Sequence, residues 1–175
     1  STRSGDLDPA VALTLLVREG GNGAAVEGLL NRKCGVLGLS GMSADIRDVV
    51  ARAADGATAD IDQLSVAAQV YMWRIRKYLG AYLTLVGGAQ CLIFTDTIGE
   101  KVPYVRWAVT AGLQCFGLDI DPEKNEAARV LPADLSTPSS RVRILAIATN
   151  EEMAIARFSY DLLSHLGTQA ERIAQ

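Results

Sequence analysis

The side chains in this sequence that are best suited to chemistry are arginines and carboxylates near predicted helix and strand ends. Arg3 and Arg47 could each bind phosphoryl oxygens, because a guanidinium presents several N–H donors in one fixed plane. Residues 96–100 and the adjacent carboxylates of Glu151 and Glu152 offer oxygen ligands for Mg²⁺, directly or through water. Together these residue types suit a phosphorylated ligand and its metal ion.

Each of these groups also has a purely structural interpretation. Asp45 and Asp48, on either side of Arg47, are typical of a solvated first helical turn. Glu151 and Glu152 would complement the dipole of the helix that they open. Taken one at a time, these residues therefore do not establish a function.

Several common catalytic arrangements are missing from the sequence. Its single histidine, His165, is predicted far along the last helix, which leaves little basis for a histidine-activated nucleophile or a zinc site. No GxxxxGK[ST] motif occurs, so a P-loop is excluded, and the glycine pair at residues 21–23 follows a helix and lacks the third glycine of a dinucleotide fingerprint. The three widely spaced cysteines match no zinc or redox motif and favour a reduced, cytoplasmic chain.

Composition and charge restrict the classes of protein further. The 175 residues are 49% hydrophobic and 21% charged, which is typical of one globular domain or one large piece of a bigger protein. The net charge of −3 offers no basic surface, so we expect no nucleic-acid partner. Residues 78–95 carry no charge, but glycines interrupt them, so we expect a helix end, a turn and a strand there and no membrane span.

The apolar patterns predict mainly helices. They are expected over residues 8–19, 24–33 and 61–86, in a segment that Ser40 or Ser43 caps and that ends near Gly56, from Pro103 onward, and from residues 149–152 to the end. Strands are expected at residues 91–94 and 141–148, while residues 36–39 form either a brief strand or a tight turn. Residues 95–100 are predicted as a polar loop and residues 119–127 as turn-rich. The order strand, polar loop, helix occurs twice, which favours an α/β fold.

Short blocks of the sequence resemble those of one protein family. They lie, in order, at residues 2–9 (TRSGDLDP), 29–33 (LLNRK), 38–48 (GLSGMSADIRD), 74–82 (RIRKYLGAY), 98–100 (IGE), 121–125 (DPEKN), 136–138 (STP) and 149–153 (TNEEM). In wording, order and spacing they resemble the acetate kinase family from residue 2 to about residue 160, which is nearly the whole chain.

This resemblance implies an α/β fold: the carboxyl-terminal lobe of an actin-like, sugar-kinase-type (ribonuclease H-like) protein whose two lobes enclose a nucleotide cleft. Residues 1–149 would form that lobe, and residues 150–175 a terminal helix that packs on the amino-terminal lobe. The implied activity is reversible transfer of the γ-phosphoryl group of ATP to acetate, giving acetyl phosphate and ADP, with Mg²⁺ or Mn²⁺.

The resemblance also assigns roles to individual residues. Arg3 corresponds to the arginine that stabilises the phosphoryl group in the transition state. The implied nucleotide-binding residues are a segment at the adenosine end (Asp45, Ile46 and Arg47) and a turn along the nucleotide (Thr97, Ile98, Gly99, Glu100 and Lys101). Glu151 corresponds to the metal-associated glutamate, with its neighbour Glu152 as the alternative.

Two departures from the family pattern fall in the second of these segments. Small residues, commonly glycine, are usual where this chain has Asp96 and Thr97, and Lys101 replaces a customary asparagine. Glycine lets a backbone approach a ligand closely, whereas Asp96 adds a side chain and a negative charge that faces phosphates. We therefore expect an altered nucleotide affinity, with Lys101 partly offsetting the charge of Asp96.

The family motifs that this sequence lacks belong to the amino-terminal lobe, which supplies the acetate pocket, an aspartate and histidines. We expect no turnover from residues 1–175 alone, and activity with an amino-terminal portion of the same protein, as after a cut in a loop before Ser1. The resemblance also implies a homodimer joined through the carboxyl-terminal lobes, with the helix from Ile61 as a contributor. Two alternatives stay open: a propionate or other short-chain carboxylate kinase, and a non-catalytic nucleotide-binding or assembly module.

Overall fold

The computed structural model describes residues 2–55 and 61–173. The helices are α1 (Pro9–Arg18), α2 (Gly23–Arg32), α3 (Gly35–Ser40), α4 (Ile46–Asp55), α5 (Ile61–Val86), α6 (Asp96–Lys101), α7 (Pro103–Thr110), α8 (Pro122–Ala127) and α9 (Glu151–Ile173). The strands are β1 (Cys91–Phe94), β2 (Ala133–Asp134) and β3 (Arg143–Ala146), and a short 3-10 helix spans Gln114–Phe116. The predicted α/β composition is therefore present, with helices predominating.

The three strands form one mixed sheet in the order β1-β3-β2. β1 and β3 run parallel, with Phe94 opposite Ala146, and β2 pairs antiparallel with β3. A hydrogen bond of 2.9 Å from the Ile147 amide to the Phe94 carbonyl continues the parallel pairing by one residue. Because β1 and β3 are parallel, the segments that follow them, α6 and the start of α9, leave the sheet at the same edge.

Helix α5 organises the apolar core. At 26 residues it is about 39 Å long and contributes buried side chains to two clusters. The first cluster lies against α3, α4 and α7, and the second against the sheet; Leu79 and Phe94 pack against both. The long helix thus joins the helical half of the chain to the sheet half.

Local capping residues fix where several helices begin. Asp8 accepts a hydrogen bond from the Ala10 amide at 2.8 Å, and Pro9 occupies the first position of α1. Asn22 caps α2 in the same manner, through the Ala25 amide at 3.1 Å. The predicted long helix and first strand have the expected bounds, Ile61–Val86 and Cys91–Phe94.

Three short segments differ from the prediction. Residues 36–39 are helical, not a strand or tight turn, because Val36 is buried in the apolar cluster that includes residues of α5, and Gly41, at φ 63°, ends the helix. Residues 96–101 form helix α6 and not a loop, as described below. Residues 122–127 are helical because Asp121 caps the amides of residues 123 and 124.

The strand predicted at residues 141–148 is β3, which is shorter and spans Arg143–Ala146. The two-residue strand β2 was not predicted. The helix expected to end near Gly56 runs to Asp55, and Gly56 lies outside the described residues. Across the described ranges, no helix has the length and apolarity that crossing a membrane requires.

Candidate functional site

Arg3 lies at the edge of a cavity of about 700 Å³ between the amino-terminal segment, α3 and α5. The backbone of that segment is fixed, since the Ser4 amide donates to the Leu30 carbonyl and Thr2 accepts from the Cys34 amide, both at 2.9 Å. The Arg3 side chain is exposed, and within residues 2–55 and 61–173 it has no hydrogen-bond or ion-pair partner. A guanidinium in this state is available to an incoming anion.

Asp6 anchors the same segment to helix α5. Its carboxylate accepts a hydrogen bond from the Tyr78 hydroxyl and lies 3.3 Å from the Arg74 guanidinium and 3.5 Å from the Lys77 ammonium. The Tyr78 hydrogen bond, more than the nearby cations, lowers the pKa of Asp6. The course of the chain near Arg3 is thereby set from α5.

The second candidate segment opens helix α4. Asp45 accepts from the Arg47 backbone amide at 2.9 Å and pairs with the Arg47 guanidinium. The side-chain hydrogen bond from Arg47 is the main cause that lowers the pKa of Asp45 to about 2. Ile46 is only 2% exposed and belongs to the core, so it could meet a ligand through its backbone alone.

The third segment is helix α6, where the predicted loop was wrong. Asp96 begins this helix at φ 64°, the left-handed region, and it is the one non-glycine residue with a positive φ in the described part of the chain. Gly99 is buried against Phe94: a Cβ added there would lie 3.2 Å from the Phe94 carbonyl carbon. Glycine at residue 99 therefore lets α6 pack directly onto the end of β1.

Tyr71 on α5 connects the three segments. It lines both the cavity beside Arg3 and a second cavity of about 310 Å³ that extends to Asp96 and Gly99. Burial raises the pKa of the Tyr71 hydroxyl, and the negative charges of Asp96 and Asp45 raise it further. One face of α5 thus lies between Arg3, the start of α4 and the start of α6.

The Glu100 carboxylate joins α6 to the segment that precedes α9. One of its oxygens accepts from both the backbone amide and the hydroxyl of Thr149, at 2.7 and 2.9 Å. These bonds lower the pKa of Glu100. Glu151 and Glu152 follow in the exposed first turn of α9, which brings the predicted metal residue next to the predicted nucleotide turn.

The described side chains offer few ligands for a metal ion. Within the described ranges, no three His, Cys, Asp or Glu side chains cluster closely enough to hold a metal ion. Mg²⁺ commonly keeps several waters and takes one or two protein carboxylates plus phosphate oxygens. Glu151 and Glu152 each present one exposed carboxylate, the number of protein ligands that such a nucleotide-bound metal ion requires.

Sequence reasoning missed the buried side chain that holds α6 in place. Arg106 on α7 has no exposed surface and donates to the carbonyl oxygens of Gly99 and Glu100, at 2.9 and 2.8 Å, and to Asn125. Burial lowers the pKa of its guanidinium. Its one sequence signal was its place in PYVRWAVT beside Val105 and three residues before Val109, which form the buried face of this helix.

Comparison with known proteins places these features in context. The acetokinase family model matches residues 1–157. The acetate kinase of Dictyoglomus thermophilum is 40% identical over 156 residues, and that of Acetivibrio thermocellus is 40% identical over 165 residues. These alignments cover 89% and 94% of this chain but 38% and 40% of the relatives, so the chain spans about 40% of their length.

Solved structures give the same result for the fold. The acetate kinase of Porphyromonas gingivalis superimposes with a TM-score of 0.83 at 36% identity, over 93% of this chain and 40% of that one. A propionate kinase from Francisella tularensis gives 0.77 at 30% identity, over 89% of this chain and 38% of that one. The predicted actin-like α/β fold is confirmed by these neighbours.

Proposed function

The chain belongs to the acetokinase family, and we propose on this basis that it supplies the nucleotide-binding half of a kinase that transfers a phosphoryl group reversibly between ATP and acetate. The observation that carries the proposal is the meeting of two segments at one sheet edge. The segment that family resemblance assigns to the nucleotide, residues 97–101, is hydrogen-bonded through Glu100 to the segment that contains Glu151.

In this proposal each group has a task that suits its surroundings. The guanidinium of Arg3, which has no partner among the described residues, binds the oxygens of the transferring phosphoryl group, where its planar donors stabilise developing negative charge. Asp45 and Arg47 hold each other at the adenosine end, so their positions are fixed before the nucleotide arrives. The backbone of residues 97–101 lies along the nucleotide, and hydrogen bonds from the Arg106 guanidinium to the carbonyls of Gly99 and Glu100 hold it in place.

Glu151 is the proposed metal-associated residue, and Mg²⁺ or Mn²⁺ the metal ion. We favour Glu151 over Glu152 because it lies nearer to Thr149, whose position Glu100 fixes. A bound divalent ion would neutralise charge on the nucleotide phosphates. The protein contributes a carboxylate in a defined place.

The acetate pocket is proposed to lie in an amino-terminal portion that this chain does not include, with ATP, ADP, acetate and acetyl phosphate as the substrates. A homodimer through α5 is also proposed. It is supported by large apolar side chains that this helix exposes, since Trp73, Tyr82 and Leu85 are 63%, 60% and 80% exposed.

Calorimetric titration of the chain with ADP in the presence of Mg²⁺ tests directly whether it forms the proposed nucleotide-binding half. We expect saturable binding, at least about tenfold weaker in an Arg47→Ala variant. Arg18→Ala, at an exposed position on α1, is the matched control and should bind as the unmodified chain does. No measurable binding of ADP would contradict the proposal.

A second substrate is favoured by one observation, the fit to the Francisella propionate kinase. Activity with acetate, propionate and butyrate, measured with the amino-terminal portion present, distinguishes the two. A third candidate, a non-catalytic nucleotide-binding module, is favoured by the negative charge and unusual backbone of Asp96. Binding of ADP without turnover in that same assay would identify it.

A further inference from the structure

The contact between Glu100 and Thr149 joins two parts of the chain that are 49 residues apart. Both hydrogen bonds reach the same carboxylate oxygen, from the Thr149 amide at 2.7 Å and from its hydroxyl at 2.9 Å. Hydrogen bonds to an ionised acceptor are stronger than those between neutral groups. The contact is therefore a specific link between α6 and the base of α9.

The Glu100 side of this contact is rigid. The backbone carbonyls of Gly99 and Glu100 each accept from the fully buried Arg106 guanidinium, and Arg106 is fixed in turn by Asn125 at 2.7 Å. Gly99 also packs closely on Phe94 at the end of β1. Glu100 is thus attached to the body of the fold from two directions.

The Thr149 side has little other support. The last bond of the parallel pairing is that of the Ile147 amide, two residues earlier. All described side chains from residue 151 to residue 165 are exposed. Packing against the other described residues therefore does not hold this part of α9 in place. Asn150 caps α9 by accepting from the Met153 amide at 2.9 Å, which ties the direction of the helix to the residues just before it.

We propose that Glu100 and Thr149 are positioning residues: their contact fixes the carboxylate of Glu151 relative to residues 97–101. The inference rests on the proposed function, and it assigns the Glu100 side chain to this contact while the Glu100 backbone remains part of the proposed nucleotide turn. An anionic carboxylate that faced phosphates would repel them, whereas here its charge is directed to an amide and a hydroxyl. Thr149 then acts through Glu151, without touching the ligand.

The test compares Thr149→Val, which removes the hydroxyl donor but keeps the shape, with Thr149→Ser, which retains a hydroxyl. ADP affinity of each 175-residue chain is measured without metal and with saturating Mg²⁺. We expect the gain in affinity caused by Mg²⁺ to fall about three- to tenfold in Thr149→Val, with the metal-free affinity unchanged. Thr149→Ser should restore the gain to within about twofold of the unmodified chain.

The matched control is Thr137→Val. Thr137 donates to the Asp119 carboxylate at 2.8 Å, which is the same kind of bond away from the proposed site. This variant should lose a comparable hydrogen bond without changing the effect of Mg²⁺. An unchanged gain in Thr149→Val, or an equal fall in the Ser and Val variants, would overturn the inference.

A second measurement reads the contact without any ligand. In Glu100→Ala the Thr149 amide loses its acceptor, so its hydrogen exchange should become at least about tenfold faster, as should that of the first amides of α9. Unchanged exchange would overturn the inference on its own. If the unmodified chain fails to bind ADP, the proposed function is wrong, and this exchange measurement still decides whether the contact positions the base of α9.

Discussion

Asp96 is the residue whose backbone conformation departs most from what its side chain prefers. At φ 64° it occupies a region that glycine enters freely, and its carboxylate compensates by accepting from the Thr97 amide at 2.6 Å. The acetate kinase family, as the sequence resemblance implied, commonly has a small residue here. The departure combines backbone strain with a negative charge beside the proposed phosphates.

Replacing Asp96 by glycine should therefore have two effects. The free energy of unfolding should rise by up to about 1 kcal/mol, because the left-handed conformation no longer carries a Cβ penalty. The dissociation constant of ADP should fall, because the negative charge is removed. Asp96→Asn separates the causes, since it removes the charge and keeps a side chain that tolerates this conformation; equal ADP affinity in all three chains would contradict the expectation.

The Asp45–Arg47 pair predicts a particular acid dependence. Because the pKa of Asp45 in the folded chain is depressed to about 2, the contribution of its carboxylate to stability is present above the ordinary pKa of 3.8 and is lost as the pH falls towards 2. A carboxyl-carbon NMR titration should give a midpoint near 2 for Asp45, and Arg47→Ala should return it to about 4. A midpoint near 4 in the unmodified chain would show that the pair does not persist in solution.

At the scale of elements, α6 depends on a side chain from another helix. The buried Arg106 guanidinium satisfies carbonyls at the end of α6 and both the side chain and the backbone of Asn125. Arg106→Met should lower the free energy of unfolding by about 3 kcal/mol, since several buried acceptors lose their donor together. Arg129→Met, at an exposed position nearby, is the control in urea denaturation and should change stability by less than about 0.5 kcal/mol.

The same dependence explains which elements the sequence could predict. The bounds of α5 and β1 follow from length and apolar pattern alone, and Asp8 and Pro9 identify the start of α1. Helices α3 and α6, of six residues each, are too short for a periodic pattern and exist because of contacts with α5 and Arg106. Residue types and family resemblance together predicted the candidate site residues. The parts played by Tyr71, Arg106 and Thr149 depend on tertiary contacts, which the sequence does not show.

At the scale of the whole molecule, helix α9 exposes an apolar face that is typical of a surface covered by another part of a protein. Ile155, Phe158 and Leu162 are 65%, 75% and 62% exposed, and the proposed amino-terminal portion would cover them. In a chimera with the amino-terminal portion of the Acetivibrio acetate kinase before residue 1, Phe158→Lys should reduce activity at least about tenfold. Ser159→Lys, also exposed on α9, is the control, and equal activity of the two variants would exclude this face as the contact.

The central claim is that these residues form the nucleotide half of a phosphoryl-transfer site that is completed by an amino-terminal portion. The most direct measurement is acetyl phosphate formation from ATP and acetate by the 175-residue chain, by the same chimera, and by the chimera with Arg3→Ala. We predict no turnover by the chain, turnover by the chimera, and a loss of about 10³-fold or more in kcat for Arg3→Ala with little change in ADP affinity. Turnover by the chain alone, or an Arg3→Ala chimera as active as its parent, would contradict the account.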